Sequence, residues 1–483
     1  MSDRGHDPAL GRASLRVAEI PRPGVNLVGF FEAESGLGEF ARRLARALEA
    51  SGIPVSAIPY RRTLGRQSHA FDLPLGCDAP FDINLISLSA DDLTRFASDV
   101  GPTFFAKRYS IGVWFWETTV FRSTDRHAAR FLDELWVASD YVRDAVAREV
   151  DIPVSVMPVP IESPKGELLN RAQLDLPDAF TFLFVFDFWS GERKNPTAVI
   201  RAFTRAFEPD EGPVLILKSV HGRDWKPRQL EAVEEAAAER SDILIRDGYV
   251  APHERDSLIA ACDCYVSLHR SEGLGLTMAE AMACAKPVIA TGHSGNLEFM
   301  SRENSHLVHY RLVDIPSTWW AYTPGAQWAE PDVEAAATIM RHVWEHPDEA
   351  RVLGEAGRQD VLARFAPERT VVFLGERLAE ARARGAIAAR SSPHDARPAI
   401  LEAARGLADE LGVALAHNPG RRPTSFVRRL LRRVLWPHLD EQRRFDTAVV
   451  DALTTLHRSV VELERRFVKL DDPPARRRSE RSD

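Results

Sequence analysis

The chain has 483 residues, 45% of them hydrophobic, and a formal net charge of −8. A chain of this length is expected to hold two or three domains with sizeable cores. Its acidic balance argues against a nucleic-acid-binding protein, and no apolar run approaches the roughly 18 residues of a membrane span.

The N-terminal sequence and the cysteines predict a soluble, cytoplasmic protein. Residues 1–7 lack the basic start and apolar core of a signal peptide. The four cysteines show neither a disulfide framework nor paired zinc spacing: Cys77, Cys262, Cys264 and Cys284.

Residues 1–23 are polar and contain prolines, which predicts a disordered leader. Residues 24–165 then alternate apolar, strand-like runs with helical patterns, as a parallel sheet covered on both faces requires. The predicted strands are Val25–Phe30, Ile53–Tyr60, Asp82–Ser89, Tyr109–Trp116, Glu134–Ala138 and Val154–Pro158, and the predicted helices include Gly38–Ser51 and Ala128–Leu132.

A glycine-containing loop follows the first strand, and Gly36, Leu37 and Gly38 lie in it. Strand, glycine loop and helix form a general phosphate-binding arrangement. The dinucleotide version is excluded, because there is no G-x-G-x-x-G and the second strand ends in Pro-Tyr-Arg instead of an acidic residue. A tight turn without ligand contact is the alternative.

Residues 166–366 repeat the alternation more clearly. The predicted strands are Phe180–Phe188, Val214–Val220, Ile243–Val250, Cys264–His269, Pro287–Thr291 and His306–Val313, and the predicted helices are Pro196–Phe207, Lys226–Ala238, Glu254–Ala261 and Leu276–Ala285. Two such blocks predict an α/β protein with two doubly wound, Rossmann-like domains and a ligand cleft at the carboxyl ends of the strands.

The most informative segment runs from Ser271 to Ala290 and holds two carboxylates, Glu272 and Glu280, eight positions apart around a glycine turn. The turn and the helix that follows present N–H groups to an anion, and carboxylates accept hydrogen bonds from vicinal hydroxyls. A nucleotide sugar has phosphates at its centre and hydroxyls at both ends. The alternative is a capped helix that begins with a solvated Glu.

This segment resembles the signature of the retaining glycosyltransferases of family four (group 1), E-G-F-G-L-x-x-x-E-A-M-A-x-G-x-P-V-I-A, whose architecture is GT-B. The resemblance implies that Glu272 contacts the donor sugar and Glu280 the ribose. It also implies donor contacts from the intervening loop and from the opposite glycine loop: Gly273, Leu274, Gly275 and Leu276, and Gly36, Leu37 and Gly38.

The chain departs from the signature at two positions. Leu274 stands where Phe is common, which we expect to be neutral because the backbone amide makes the contact. Ala285 stands where Gly is usual, and we interpret this as a question of packing between a helix and a strand.

Cations for the departing phosphate follow the first strand of the second block. By the resemblance, Lys194 binds the pyrophosphate. Trp189 occupies the place where relatives carry a second cation, so Arg193 or Lys218 is expected to supply that charge.

Further residues resemble a bacterial set of these enzymes that acts on surface polysaccharides. Glu117, in a W-x-W-E element, is an acceptor-side candidate, with a helix cap or salt bridge as the alternative. His293 and Asn296 are expected near the donor sugar, with a structural role as the alternative for His293, and Gly248 and Tyr249 are expected near the nucleotide base.

No D-x-D pair occurs in the chain, so we expect no cofactor and a transfer that needs no metal ion. The expected acceptor is a glycan, a lipid-linked glycan or another compound with a hydroxyl group. The resemblance implies front-face displacement with retention, the phosphate itself accepting the proton. A catalytically idle GT-B assembly protein and a nucleotide-sugar epimerase are the alternatives.

The C-terminal organisation differs from the two blocks. Residues 367–385 are predicted to form a helix, and the GT-B resemblance implies that this helix crosses back to the first domain. Residues 386–397 are predicted to be a linker, and residues 471–483 to be disordered. Residues 398–470 predict a helical tail with a basic amphipathic stretch and a short heptad repeat. The tail either contacts the anionic inner face of a membrane, self-associates or packs on the acidic body.

Overall fold

The computed structural model describes residues 15–387, apart from residues 64, 165, 317–321 and 324. Within these residues the chain forms two six-stranded sheets and one two-stranded hairpin. The predicted tail (398–470), the C-terminal segment (471–483) and the predicted linker beyond residue 387 lie outside the described residues.

The first sheet is parallel throughout, with the strand order β2-β1-β3-β4-β5-β6. Its elements in chain order are β1 (Arg16–Gly29), α1 (Gly36–Ala50), β2 (Val55–Pro59), β3 (Asp78–Ser87), α2 (Ala90–Val100), β4 (Tyr109–Trp114), β5 (Glu134–Val137), α3 (Asp140–Val146) and β6 (Val154–Val156). Helices cover both faces of the sheet, so its central strands are apolar and buried.

β1 corrects the predicted leader, because residues 16–23 belong to a strand. This extension pairs with β3 from Arg16 opposite Asp78 onward, with register shifts before Val25. The Arg16 and Asp78 side chains also form an exposed ion pair. Pairing with a neighbouring strand satisfies the backbone of a polar, Pro-containing sequence that has no apolar pattern of its own.

The second sheet is also parallel, with the order β12-β11-β10-β7-β8-β9. Its elements are β7 (Thr181–Asp187), α4 (Gly191–Lys194), α5 (Pro196–Ala206), β8 (Val214–Val220), α6 (Gly222–Trp225), α7 (Pro227–Ala237), β9 (Ile243–Asp247), α8 (Pro252–Ala261), β10 (Cys264–Ser267), α9 (Leu276–Ala283), β11 (Val288–Thr291) and β12 (His306–Val308).

The last part of the chain adds a hairpin and three helices. These are β13 (Tyr310–Asp314), β14 (Gln327–Pro331), α10 (Val333–Glu345), α11 (Pro347–Phe365) and α12 (Pro367–Ile387). The run 306–313 was predicted as one strand, but it divides at His309 into β12 and the antiparallel strand β13. The predicted helix 128–132 is a 3-10 helix over Arg126–Phe131.

Ala285 has a backbone role that the sequence interpretation missed. It follows α9 in the left-handed conformation, with φ of 57°. Its N–H donates to Met282 O (2.8 Å), and the N–H of Lys286 donates to Ala281 O (3.0 Å). This is the Schellman arrangement, in which glycine is favoured because a Cβ strains the left-handed conformation. The departure at Ala285 is therefore a matter of backbone strain and not only of packing.

α12 packs on the first sheet, as the predicted crossover helix requires. Thr370 donates from Oγ1 to Pro158 O at 2.9 Å, and Phe373 packs edge-on against Trp136 at 5.0 Å between ring centroids. Farther along, Arg382 Nε lies 3.0 Å from Asp82 Oδ2. The helix thereby links the end of the second block to the first domain.

Candidate active site

The loops that follow β7, β8, β9, β10 and β11 lie together at the carboxyl edge of the second sheet, because parallel strands end at the same edge. Residues of α1, of the loop after β4 and of the start of α3 in the first domain contact this edge. Direct contacts join the two sides: Ser139 Oγ donates to Gly273 O at 2.7 Å, and Tyr141 Oη lies 3.2 Å from Ser271 Oγ.

The loop that carries Glu272 is fixed by the loop after β11. Glu272 N donates to Ser294 Oγ (2.8 Å), and Gly295 N donates to Glu272 O (2.9 Å). A Cβ at Gly295 would lie 2.2 Å from Gly273 O, so only glycine allows the two loops to approach this closely. Gly275 has a φ of 94° at the start of α9. The Glu272 backbone is therefore held rigidly.

The carboxylate of Glu272 is buried between two cations. Lys194 Nζ lies 2.5 Å from Oε1, and Arg193 Nη1 lies 3.1 Å from Oε2. Burial raises the pKa of Glu272, but the charges of Lys194 and Arg193 outweigh burial and lower that pKa to about 2. Glu272 is ionised at neutral pH and holds both predicted phosphate-binding cations beside it.

A turn between α4 and α5 positions these cations. Asn195 adopts the left-handed conformation, with φ of 59°, and its Nδ2 donates to Leu268 O at 3.1 Å. Pro196 then begins α5, as the favoured first residue of a helix. The turn thus places Lys194 against the Glu272 loop.

Arg193 is buried and connects two of the three predicted carboxylates, Glu272 and Glu117. Its Nη1 donates to Ser271 O at 2.7 Å, and its Nη2 lies 3.6 Å from Glu117 Oε1. Burial lowers the pKa of Arg193, but Glu272 and Glu117 outweigh it and raise that pKa. The structure thus brings Glu117 of the first domain to the cation that also pairs with Glu272.

Glu280 lies one turn inside α9 and is contacted from both domains. Arg43 on α1 forms an ion pair with Oε1, and Arg255 on α8 lies 3.3 Å from the same oxygen. Neither arginine was singled out in the sequence. Arg43 lies 237 positions from Glu280. In the sequence it is one of several arginines on the polar face of an amphipathic helix, so no local pattern distinguishes it.

The glycine loop of the first domain caps α1. Ser35 Oγ accepts from Gly38 N at 3.2 Å, and a Cβ at Gly38 would lie 2.2 Å from Ala33 O. Gly36 faces open space, while the side chain of Leu37 packs against the first domain's core. The loop therefore leads into the exposed start of a 15-residue helix, and the predicted phosphate contact of this loop stays a prediction.

Lys218 is buried and donates to three backbone carbonyls, those of Ser219 (2.9 Å), Arg246 (3.4 Å) and Gly248. Burial lowers its pKa to about 8. Lys218 thereby ties β8 to the end of β9, and its predicted donor contact stays a prediction.

The segment predicted to meet the nucleotide base contacts the first domain. Tyr249 Oη lies 2.6 Å from His221 Nε2, and the guanidinium of Arg66 stacks 4.3 Å from the Tyr249 ring centroid. Gly248, with φ of 134°, faces open space. Trp189, which stands where relatives carry a cation, is 41% exposed at the neighbouring loop.

The two predicted donor contacts after β11 differ in surroundings. The His293 ring lies between those of Tyr141 (5.6 Å) and Tyr310 (4.9 Å), and burial lowers its pKa to about 4. Asn296 is fully buried: Oδ1 lies 3.2 Å from His269 Nε2, and Nδ2 donates to Thr291 O at 3.0 Å. Asn296 therefore supports the loop in this state.

The remaining predicted donor contacts, Leu274 and Leu276, pack their side chains against the second domain's core. This is consistent with the expectation that Leu274 contributes through its backbone.

Two features are missing from the described part of the chain. None of its helices combines the length and apolar character needed to cross a bilayer. No three or more His, Cys, Asp or Glu side chains within residues 15–387, excluding the gaps given above, are grouped so that they could hold a metal ion.

Comparison with known proteins identifies a family within the second domain. The sequence profile described as Glycosyl transferases group 1 matches residues 179–314. The D-inositol 3-phosphate glycosyltransferase of Xylanimonas cellulosilytica is 30% identical over 153 residues, which make up 30% of this chain and 34% of that protein. The match thus spans about a third of the length of this curated relative.

Solved structures match over more of the chain. HepE of Anabaena, in complex with UDP and glucose, is 16% identical with a TM-score of 0.54, over 74% of this chain and 100% of that one. Sucrose-phosphate synthase from Thermosynechococcus elongatus is also 16% identical with a TM-score of 0.54, over 75% and 100% respectively. At this identity the likeness concerns the fold, and it confirms the predicted two-domain GT-B architecture.

Proposed function

Residues 179–314 form a domain of the glycosyl transferases group 1 family, and we propose that the protein transfers a sugar from a nucleotide-sugar donor to a hydroxyl acceptor. The observation that carries the proposal is Glu272, ionised and held between Lys194 and Arg193 at the carboxyl edge of the second sheet. The curated relative is a glycosyltransferase, and the Anabaena structure contains UDP and glucose.

The site residues divide the donor between them. Glu272 would accept hydrogen bonds from the sugar hydroxyls, and Glu280 from the ribose. Lys194 and Arg193 would stabilise the charge that develops on the departing diphosphate, as preorganised cations do in a site shielded from water. We expect the starts of α1 at Gly36 and of α9 at Leu276 to present N–H groups to the phosphates.

The reaction is a retaining displacement. The acceptor oxygen bonds to the anomeric carbon as the bond from that carbon to the phosphate oxygen breaks, and the acceptor proton goes to the departing phosphate. We name no protein base. The fixed charges of Lys194 and Arg193 support a transfer without a metal ion, and a glycan or lipid-linked glycan of a bacterial polysaccharide pathway is the acceptor class.

A donor-hydrolysis screen tests the proposal. The full chain is incubated with UDP-, GDP- and ADP-sugars, with and without EDTA, and released nucleoside diphosphate is measured. We expect release from at least one donor in EDTA, a loss of at least about 100-fold in Glu272→Gln, and no change in Glu303→Gln, which alters an exposed carboxylate of the same domain.

Two further results would contradict the proposal. Release of no diphosphate, with no nucleotide binding, would favour the assembly-protein alternative. An altered donor sugar without transfer or hydrolysis would favour the epimerase. Once an acceptor is found, NMR of the anomeric proton would test retention.

Membrane contact or self-association through residues 398–470 remains a prediction from sequence. Co-sedimentation with phosphatidylglycerol vesicles and light scattering of the full chain would test these two proposals separately.

A further inference from the structure

Arg43 of the first domain reaches Glu280 of the second domain through a fully engaged guanidinium. Its Nε lies 2.8 Å from Glu39 Oε1, its Nη1 donates to Pro160 O at 3.3 Å, and its Nη2 pairs with Glu280 Oε1. Three fixed partners leave the arginine little rotational freedom. The side chain is therefore preorganised to present one N–H across the domain boundary.

The two oxygens of Glu280 have different surroundings. Oε1 is contacted by Arg43 and by Arg255, which is itself anchored on Asp256 at 2.9 Å from its Nε. Oε2 is shielded from solvent, and no described residue donates a hydrogen bond to it. The side chain as a whole is 7% exposed.

This asymmetry indicates a ligand with a hydroxyl donor. A shielded carboxylate oxygen without a donor is costly, and native structures seldom leave one unsatisfied. A ribose hydroxyl donates one hydrogen bond and could use Oε2 while both arginines keep Oε1. Displacing Arg43 instead would leave its buried charge without Glu280, which is the more costly arrangement.

We propose that Arg43 is a positioning residue for the nucleotide ribose: it fixes Glu280 through Oε1 so that Oε2 is aimed at a ribose hydroxyl. The inference rests on the proposed function, because it assigns Arg43 to the same donor site. It makes nucleotide recognition by the second domain depend on a residue of the first, so that the nucleotide binds best when α1 and α9 are in contact.

The test compares variants on one helix. Arg43→Gln removes the charge but keeps a polar side chain, and Arg43→Lys keeps the charge without the forked geometry. Arg46→Gln is the matched control, since Arg46 lies one turn along α1, is half exposed and pairs with Asp72 at 3.8 Å. Thermal unfolding of each full-length variant establishes that it is folded.

Calorimetric titration with UDP, GDP and ADP is followed by titration with the 2′-deoxy and 3′-deoxy forms of the nucleotide that binds most tightly. We expect Arg43→Gln to weaken binding about tenfold or more, Arg43→Lys to weaken it less, and Arg46→Gln to leave it unchanged. Removing one of the two ribose hydroxyls from the nucleotide should weaken its binding to the wild type about tenfold. The same removal should weaken binding to the Arg43→Gln variant much less. A purely structural role would not change this hydroxyl dependence.

The outcomes separate the two proposals. If the wild type binds a nucleotide but Arg43→Gln keeps the full penalty for the deoxy form, or binds more tightly, the positioning role is overturned while the proposed function stands. If the wild type binds none of the three nucleotides and releases none from their sugars, the proposed function is overturned and the role of Arg43 with it.

Discussion

Replacing Ala285 with glycine should stabilise the second domain. A non-glycine residue in the left-handed conformation carries about 1–2 kcal/mol of strain, and Ala285 has a φ of 57° at the end of α9. Glycine removes this strain but costs about 0.4–1 kcal/mol through the greater freedom of the unfolded chain. The expected net gain is therefore about 1 kcal/mol, or about 2–4 °C in Tm for a domain of this size.

The same change elsewhere provides the control. Ala232 is an exposed residue inside α7, where glycine should cost about 0.5–1 kcal/mol. Urea and thermal unfolding of Ala285→Gly and Ala232→Gly should therefore give shifts of opposite sign. If both variants were destabilised to a similar extent, the argument from left-handed strain at Ala285 would be refuted.

Three more predictions concern the candidate active site. Gly38→Ala should lower the free energy of unfolding, measured in urea, by about 1–3 kcal/mol, because its Cβ would lie 2.2 Å from a backbone oxygen. Gly36→Ala should lower it far less, because Gly36 faces open space, and equal losses in the two variants would contradict the prediction. In Gly273→Ala the Cβ would lie 2.9 Å from Trp116 O of the other domain, so donor turnover should fall with little change in Tm, and unchanged turnover would argue against the contact. The pKa of Glu272 is lowered to about 2, so the wild type should exceed Glu272→Gln in free energy of unfolding by its full margin above pH 4.5, and this margin should shrink as the pH falls toward 2. Urea unfolding of both proteins between pH 3 and 7 measures the margin, and a margin that stays constant over this range would contradict the prediction.

The strands of the second sheet were largely predictable from sequence. The predicted run 214–220 coincides with β8, and Cys264–His269 contains β10. Such strands are buried on both faces, so they appear as short apolar runs between turn residues. The polar start of β1 carries no such signal, because only its pairing with β3 makes it a strand.

The candidate site was predictable where it is local in sequence. Glu272, Glu280 and Lys194 belong to motifs, and the structure brings Glu272 and Lys194 together. Contacts made by folding, such as Arg43 with Glu280, join residues more than 200 positions apart and depend on how the two domains meet. A single sequence has no periodicity or spacing that records them.

The measurement that tests the central claim most directly is hydrogen exchange of the full chain with and without saturating UDP, GDP or ADP. If one donor site is built from both domains, one of these nucleotides should protect three separate segments together: residues 36–40 at the start of α1, residues 191–195 around Lys194, and residues 272–280 between the paired glutamates. Protection of none of them, or of a surface remote from all three, would contradict this account.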